Sequence, residues 1–268
     1  AVETSAFAMG RQGRVFYSAN GAWRTGNDYE TGADRTIDGD FTSGEARGHI
    51  GIHLTSATTL EVRGGYQEQL DIEYLGRLLN ADFFRTGMGQ IDLSYAPGAT
   101  GGSLSLTGLE VQVHAQQTLH EMTNEGKPTF DAGQFPNGNP RPPLRIGVNT
   151  ELRNLGARAS ASLASGAWSF EVGADLLSTL RDARRPFEAV MPNGMRMTPP
   201  FYTSDRVWPD VHMMHQGAFL NVRRSLGVVE MAATGRLDLV QSDAEEPSDA
   251  FLTNASTVRG SNVTEADL

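Results

Sequence analysis

Alternation with a period of two residues runs through most of this chain. From Leu155 to Leu163 the odd positions are Leu155, Ala157, Ala159, Ala161 and Leu163, and the even ones are Gly156, Arg158, Ser160 and Ser162. Next, Trp168, Phe170, Val172, Ala174 and Leu176 oppose Ser169, Glu171, Gly173 and Asp175. Leu109, Val111, Val113 and Ala115 oppose Glu110, Gln112, His114 and Gln116, and Val229, Met231, Ala233, Leu237 and Leu239 oppose Glu230, Thr234, Arg236 and Asp238. Side chains on a strand point alternately to opposite faces, so each stretch is a strand with one apolar and one polar face. About ten such strands fall near residues 2–9, 14–24, 45–54, 59–70, 86–96, 106–121, 151–164, 167–180, 212–224 and 227–241. Several are far longer than the usual strand of roughly five or six residues. That length suits a tilted membrane span that continues beyond the bilayer.

The connections carry a second pattern. Short links fall at Gly10–Gly13, Thr55–Thr58, Pro97–Ser103, Ser165-Gly166 and Ser225-Leu226, and long ones at Thr25–Gly44, Asp71–Arg85, Met122–Thr150, Arg181–Val211 and from Gln241 onward. Short and long alternate, as in an up-and-down barrel with tight turns on one side of a membrane and long loops on the other. Soluble loops beyond roughly twelve to fifteen residues are uncommon, and here every second connection is long.

The polar face carries Arg63, Glu110, His114, Arg158, Glu171, Asp175, Glu230, Arg236 and Asp238, too many ionisable groups for a packed core. It must face water. The apolar face mixes small and large residues, which suits lipid tails better than interlocking core packing. Trp23, Trp168, Tyr17 and Tyr95 lie near strand ends, where interfacial aromatics sit. The expected fold class is therefore all-β, an antiparallel up-and-down transmembrane β-barrel segment.

Composition removes other classes. In 268 residues no apolar run approaches the eighteen or so needed for a transmembrane helix. A net charge of −10 argues against a nucleic-acid partner, and the absence of cysteine removes disulfides and thiolate chemistry. No phosphate loop, dinucleotide fingerprint or nucleophile elbow is present, so no enzyme and no resident cofactor is expected.

Several segments resemble the barrels of TonB-dependent outer-membrane receptors. Gly65-Tyr66-Gln67-Glu68-Gln69 with Tyr74-Leu75-Gly76-Arg77-Leu78-Leu79-Asn80-Ala81-Asp82 is similar to the third-loop region of siderophore and metal receptors of that family. Leu155-Gly156-Ala157-Arg158, Gly166-Ala167-Trp168 and Gly173-Ala174-Asp175 resemble hairpins in the middle of those barrels. The resemblance implies a 22-stranded barrel, of which residues 1–268 would be a partial barrel domain. The family's energy-coupling box, plug domain and terminal aromatic strand are not visible, so the chain is expected to be a fragment. It also implies the outer membrane of a Gram-negative bacterium, with outer-membrane lipid, the TonB energy-coupling complex (through the missing plug) and a small metal chelate as partners.

The sharpest candidate chemistry is sulfur with imidazole. Met191, Met195 and Met197 sit in the fourth long connection, His212, Met213, Met214 and His215 follow it, and His114, His120 and Met122 share the water-facing parity of their strand. Thioether and imidazole together suit copper, with thioether favouring Cu(I). The competing reading is loop packing for the methionines and polar wall positions for the histidines; His212 and His215, three apart on a strand, point to opposite faces. Arg141, Arg145, Arg184, Arg185, Arg196 and Arg206 are assigned to long loops, where they could attract an anionic chelate, although interspersed acids make solvated charge the plainer account. Phe135 lies in the turn-rich stretch 133–143 as a candidate recognition residue.

The function expected is import of a metal complex, either a siderophore or a metal ion, driven by TonB-derived energy. A passive porin-like channel and a soluble, secreted β-rich binding module are the rivals. A soluble module would need its apolar faces sealed by a second layer.

Overall fold

The computed structural model describes residues 1–244 except 35, 38, 75, 98–102, 128–129, 135–137, 139 and 190–201, with backbone alone at 141, 202–206 and 209. Fourteen strands and no helix occur among the described residues. They are β1 (Val2–Gln12), β2 (Val15–Gly26), β3 (Tyr29–Glu30), β4 (Thr36–Ile37), β5 (Phe41–His53), β6 (Thr58–Ile72) and β7 (Asn80–Tyr95). The rest are β8 (Ser105–Thr123), β9 (Gly133–Gln134), β10 (Pro140–Arg141), β11 (Leu144–Ser165), β12 (Trp168–Ala189), β13 (Tyr202–Leu226) and β14 (Val229–Asp243). Ten of them form one antiparallel sheet in the order β1-β2-β5-β6-β7-β8-β11-β12-β13-β14. The expected ten strands are all present. Two-residue hairpins, β3 with β4 and β9 with β10, ornament two of the connections.

Each strand pairs with the next in sequence, so connections alternate between two rims. The links β1–β2, β5–β6, β7–β8, β11–β12 and β13–β14 join strand ends at one rim, and the strand ends joined by β2–β5, β6–β7, β8–β11 and β12–β13 lie at the other. Glycines at positive φ make three of the tight turns: Gly13, Gly166 and Gly227. The strands run further toward the long-loop rim than alternation indicated. β11 begins at Leu144 rather than near 151, β12 continues to Ala189, and β13 begins at Tyr202. The connection expected over Asp71–Arg85 shrinks to 73–79 and is no longer than the one at 96–104 on the opposite rim. Arg145, Arg184, Arg185 and Arg206, assigned to loops, lie on strands, as does Arg141 on the short β10.

The register explains these misses. Val111 of β8 stands opposite Leu93 of β7 and Ala159 of β11, which stands opposite Ala174 of β12, so one outer face can be followed across the sheet. From the tight-turn rim it reads Leu163, Ala161, Ala159, Ala157 and Leu155 on β11, then Arg153, Glu151 and Asn149; on β12 it reads Trp168 to Leu176, then Ser178, Leu180 and Asp182. On β8, Leu109 to Ala115 give way to Gln117, Leu119 and Glu121, with one leucine among polar residues. The apolar part is a belt about nine residues deep, the depth of a tilted span of roughly 9–11 residues. Above the belt both faces meet water, so alternation fades while backbone pairing continues.

No second layer of described residues covers the belt. Among the described residues, every contact between elements joins hydrogen-bonded neighbours. Among the described residues the buried hydrophobic ones are Ala81, Ala183, Ala189 and Phe219, while Leu155, Val172, Leu220 and Leu237 are exposed. A soluble domain of this size would bury a core of many large side chains. Tyr17, Tyr95 and Trp168 border the belt near the tight turns, and Trp23 and Tyr66 border it toward the long loops, all on the outer face. They stand where a bilayer's two interfaces would fall. The fold is an antiparallel up-and-down β-barrel segment, and among the described residues no second layer seals its apolar face as a soluble module would need.

Candidate ligand path and metal donors

The opposite face of the sheet is the water-facing lumen wall. Several of its charges are compensated locally. Arg63 donates to Asp92 at 2.8 Å and to Glu61 at 2.5 Å; Glu61 also pairs with His49 at 2.9 Å. Asp92 accepts from Gln90 at 2.8 Å and from Gln112 at 3.1 Å. On the far side of the wall, Arg236 clasps Asp175 through both terminal nitrogens at 2.8 and 2.9 Å and also holds Asp238, which pairs with His215 at 2.8 Å. Glu171 lies 3.9 Å from Arg158 and accepts from Asn221. Such exposed pairs contribute on the order of 0–1 kcal/mol each, so they fix side-chain positions more than they stabilise the fold.

Ring-on-glycine contacts shape the same wall. A Cβ at Gly51 would run into the Phe16 ring, one at Gly156 into the His114 imidazole, and one at Gly173 into Phe219. The missing side chain leaves a slot that the neighbouring strand's ring fills, as aromatic residues do opposite strand glycines. Arg158 then lies over the Phe219 ring at 4.8 Å.

The candidate metal donors are dispersed. His114 sits mid-wall with its ring over Gly156 and no hydrogen bond to it among the described residues. His120 and Met122 lie toward the long-loop end of β8. The His120 ring meets Phe84 edge-on at 5.3 Å, its Nε2 is buried without a partner, and burial lowers its pKa from the ordinary value. His215 and Met213 face the lumen, but His215 is engaged by Asp238. His212 and Met214 fall on the outer face, where His212 meets Ser178 at 2.9 Å and Met214 Sδ accepts from Gln216 at 3.1 Å. His114 and His215 are three strand spacings apart, about 14 Å, so they do not share a coordination sphere. Met191, Met195, Met197, Arg196 and Phe135 lie outside the described residues. Of Arg141 and Arg206 only the backbone is described.

Arg145 lies on β11, one residue after Leu144, rather than in a loop; it pairs with Glu125 and reaches Glu188 at 3.3 Å. Arg184 is likewise held by Asp182 at 3.1 Å. Sequence reasoning also passed over Met9, His49, His53 and Met88, all on the lumen face. Parity would have found them, because each shares the water-facing phase of its strand. A concavity on the wall is lined by His49, Arg63, Met88, Gln90, His114 and Gln116 among others.

One carboxylate group lies at the long-loop rim, where Asp28, Asp40 and Glu73 bring oxygen atoms within 4.8 Å of one another. Asp40 accepts from the Asp28 amide at 2.7 Å and Asp28 from the Gly39 amide at 2.9 Å, so these acids tie down the loop after β2.

No family model matches the sequence, and no curated protein matches it. Among solved structures the chain is similar to the copper transporter OprC, with a TM-score of 0.71 and 16% identity, over 91% of this chain and 35% of that chain. The chain thus spans about a third of that structure. At this identity the likeness concerns the fold: the ten-stranded meander follows part of a transporter's barrel.

Proposed function

We propose that this chain supplies the central strands of a Gram-negative outer-membrane receptor. The receptor binds a scarce metal ion or metal chelate at its long-loop rim and imports it with TonB-derived energy. One observation carries the reading: a single sheet has an uncovered apolar belt of membrane depth on one face and a charge-compensated polar wall on the other. The similarity to a copper transporter supports a metal cargo and an outer-membrane setting. β1 and β14 each have a free edge among the described residues, and lipid does not tolerate unpaired edges. Further strands of a larger barrel would close the ring. The chemistry is recognition and translocation with no covalent step, and the partners are outer-membrane lipid, the metal complex and, through a plug domain, the energy-coupling complex.

The test is uptake of radioactive copper and of an iron chelate by cells with and without the gene, repeated after deletion of the energy-coupling complex. The proposal expects gene-dependent uptake of one metal that is lost with the coupling complex. Gene-dependent uptake that survives the deletion would mean a passive channel, and indifference to both metals would remove the metal cargo.

A further inference from the structure

On the long-loop side of the apolar belt, the outer face carries a patch of charged pairs that takes no part in the lumen wall. Two rows of cross-strand partners define it. The row nearer the belt reads Glu68, Arg85, Leu119, Glu151 and Asp182, and the next holds Phe83, Glu121, Asn149 and Arg184. Arg153 stands one row closer to the belt, opposite Gln117. Two interfacial aromatics share these levels. Trp23 lies in the row of Glu68 through Gly44, and Tyr66 in the row of Arg153 through Gly87 and Gln117. The patch therefore stands where lipid headgroups meet the barrel.

Its three arginines are held in one way. Arg85 donates through Nε to Glu68 at 2.5 Å, Arg153 through Nε to Glu151 at 2.6 Å, and Arg184 through Nε to Asp182 at 3.1 Å. Each pairing fixes the side chain and leaves its two terminal nitrogens without a hydrogen bond among the described residues. About half of each side chain is exposed. On the lumen wall, by contrast, Arg63 and Arg236 commit their terminal nitrogens to carboxylates. Arg85 also lies over the Phe83 ring at 4.4 Å. A depression of about 230 Å³ lies among these groups, lined by Phe83, Leu119, Glu121, Glu151, Asp182 and Arg184 among others. Arg85 on β7 and Arg184 on β12 stand three strand spacings apart, about 14 Å, and flank it from two sides.

A guanidinium with both terminal nitrogens open matches the oxygens of a phosphate. Acids outnumber arginines on this patch, so a general field does not draw an anion here, and recognition falls to directed hydrogen bonds. The neighbouring Glu121 and Asn149 can accept from hydroxyls, which a phosphorylated sugar carries in greater number than a glycerophospholipid. We infer that the patch docks one phosphorylated glycolipid of the outer leaflet. Its phosphates sit in the forks of Arg85, Arg153 and Arg184, and its acyl chains lie against the exposed Val113, Leu155 and Leu176 of the belt. The inference rests on the outer-membrane reading above and names the lipid and the site that reading leaves open.

The experiment titrates the full-length protein in detergent with bisphosphorylated lipid A and follows the complex by native mass spectrometry. Kd is expected to rise about five-fold in each of Arg85→Gln, Arg153→Gln and Arg184→Gln, and on the order of 100-fold in the triple variant. Arg24→Gln is the control, because Arg24 is held through Nε by Glu3 in the same manner but faces the lumen; it should bind as the parent does. Stripping the phosphates from lipid A should abolish the difference between parent and triple variant. Equal binding by those two, or an equal loss in Arg24→Gln, overturns the site, and equally tight binding of phosphatidylglycerol overturns the glycolipid. This titration and the metal-uptake test fail separately. Lipid A bound by a barrel that imports no metal keeps the site and removes the receptor, whereas metal import by a barrel indifferent to lipid A keeps the receptor and removes the site.

Discussion

Placing one arginine at three positions of β8 tests the assignment of faces. Val111 lies on the outer face between Leu93 and Ala159, in the middle of the apolar belt, and Gln112, next to it, faces the lumen beside Asp92. Gln117 is back on the outer face but above the belt, where it donates to Glu151 at 2.6 Å. Val111→Arg puts a cation against hydrocarbon, which in a β-barrel costs about 2–4 kcal/mol near the bilayer midplane. That lowers the folding equilibrium constant about 30- to 700-fold. Gln112→Arg gains a carboxylate neighbour in water, and Gln117→Arg sits at headgroup height, where the cost is about 0–1 kcal/mol. The assay is guanidinium unfolding in phosphatidylcholine vesicles, followed by tryptophan fluorescence and by the heat-dependent shift in gel mobility. Equal loss in Val111→Arg and Gln112→Arg, or a neutral Val111→Arg, would refute the division into lipid and water faces.

Three further outcomes follow from local geometry. Asn124 is fully buried, and its amide group donates to the Leu144 carbonyl and accepts from the Ile146 N–H, both at 2.8 Å. Asn124→Ala leaves buried backbone groups unsatisfied and should destabilise the base of the β8–β11 connection by about 1–3 kcal/mol, read as faster amide exchange at Ile146 with little change at Val113. Gly156→Ala drives a Cβ into the His114 ring and should cost about 1–3 kcal/mol; in a double-mutant cycle, His114→Ala should recover much of the loss. Burial holds His120 below the ordinary histidine pKa, so its Cε1 proton should titrate with a midpoint below about 6.5, and a midpoint above that value would contradict the buried placement.

The strands and their faces were legible because a bilayer-spanning barrel has only one wet and one greasy side, and period two records both. Leu155 to Leu163 and Trp168 to Leu176 carry the belt's depth in the sequence itself. The same logic set the limit. Beyond Leu155 and Leu176 the outer face turns to Arg153, Glu151 and Asp182, the pattern loses contrast, and the strands that continue there read as loop. Arg145 was misplaced for that reason, and its two acidic partners come from segments distant in sequence. His114 and Met122 could be assigned to the wet wall from parity alone, as could His49 and Met88. Their order could not, because it depends on the register of eight strand pairings and on strand tilt. A sequence fixes which side of its own strand a residue occupies; only pairing with neighbours decides how high it stands in the membrane and which donors share its level.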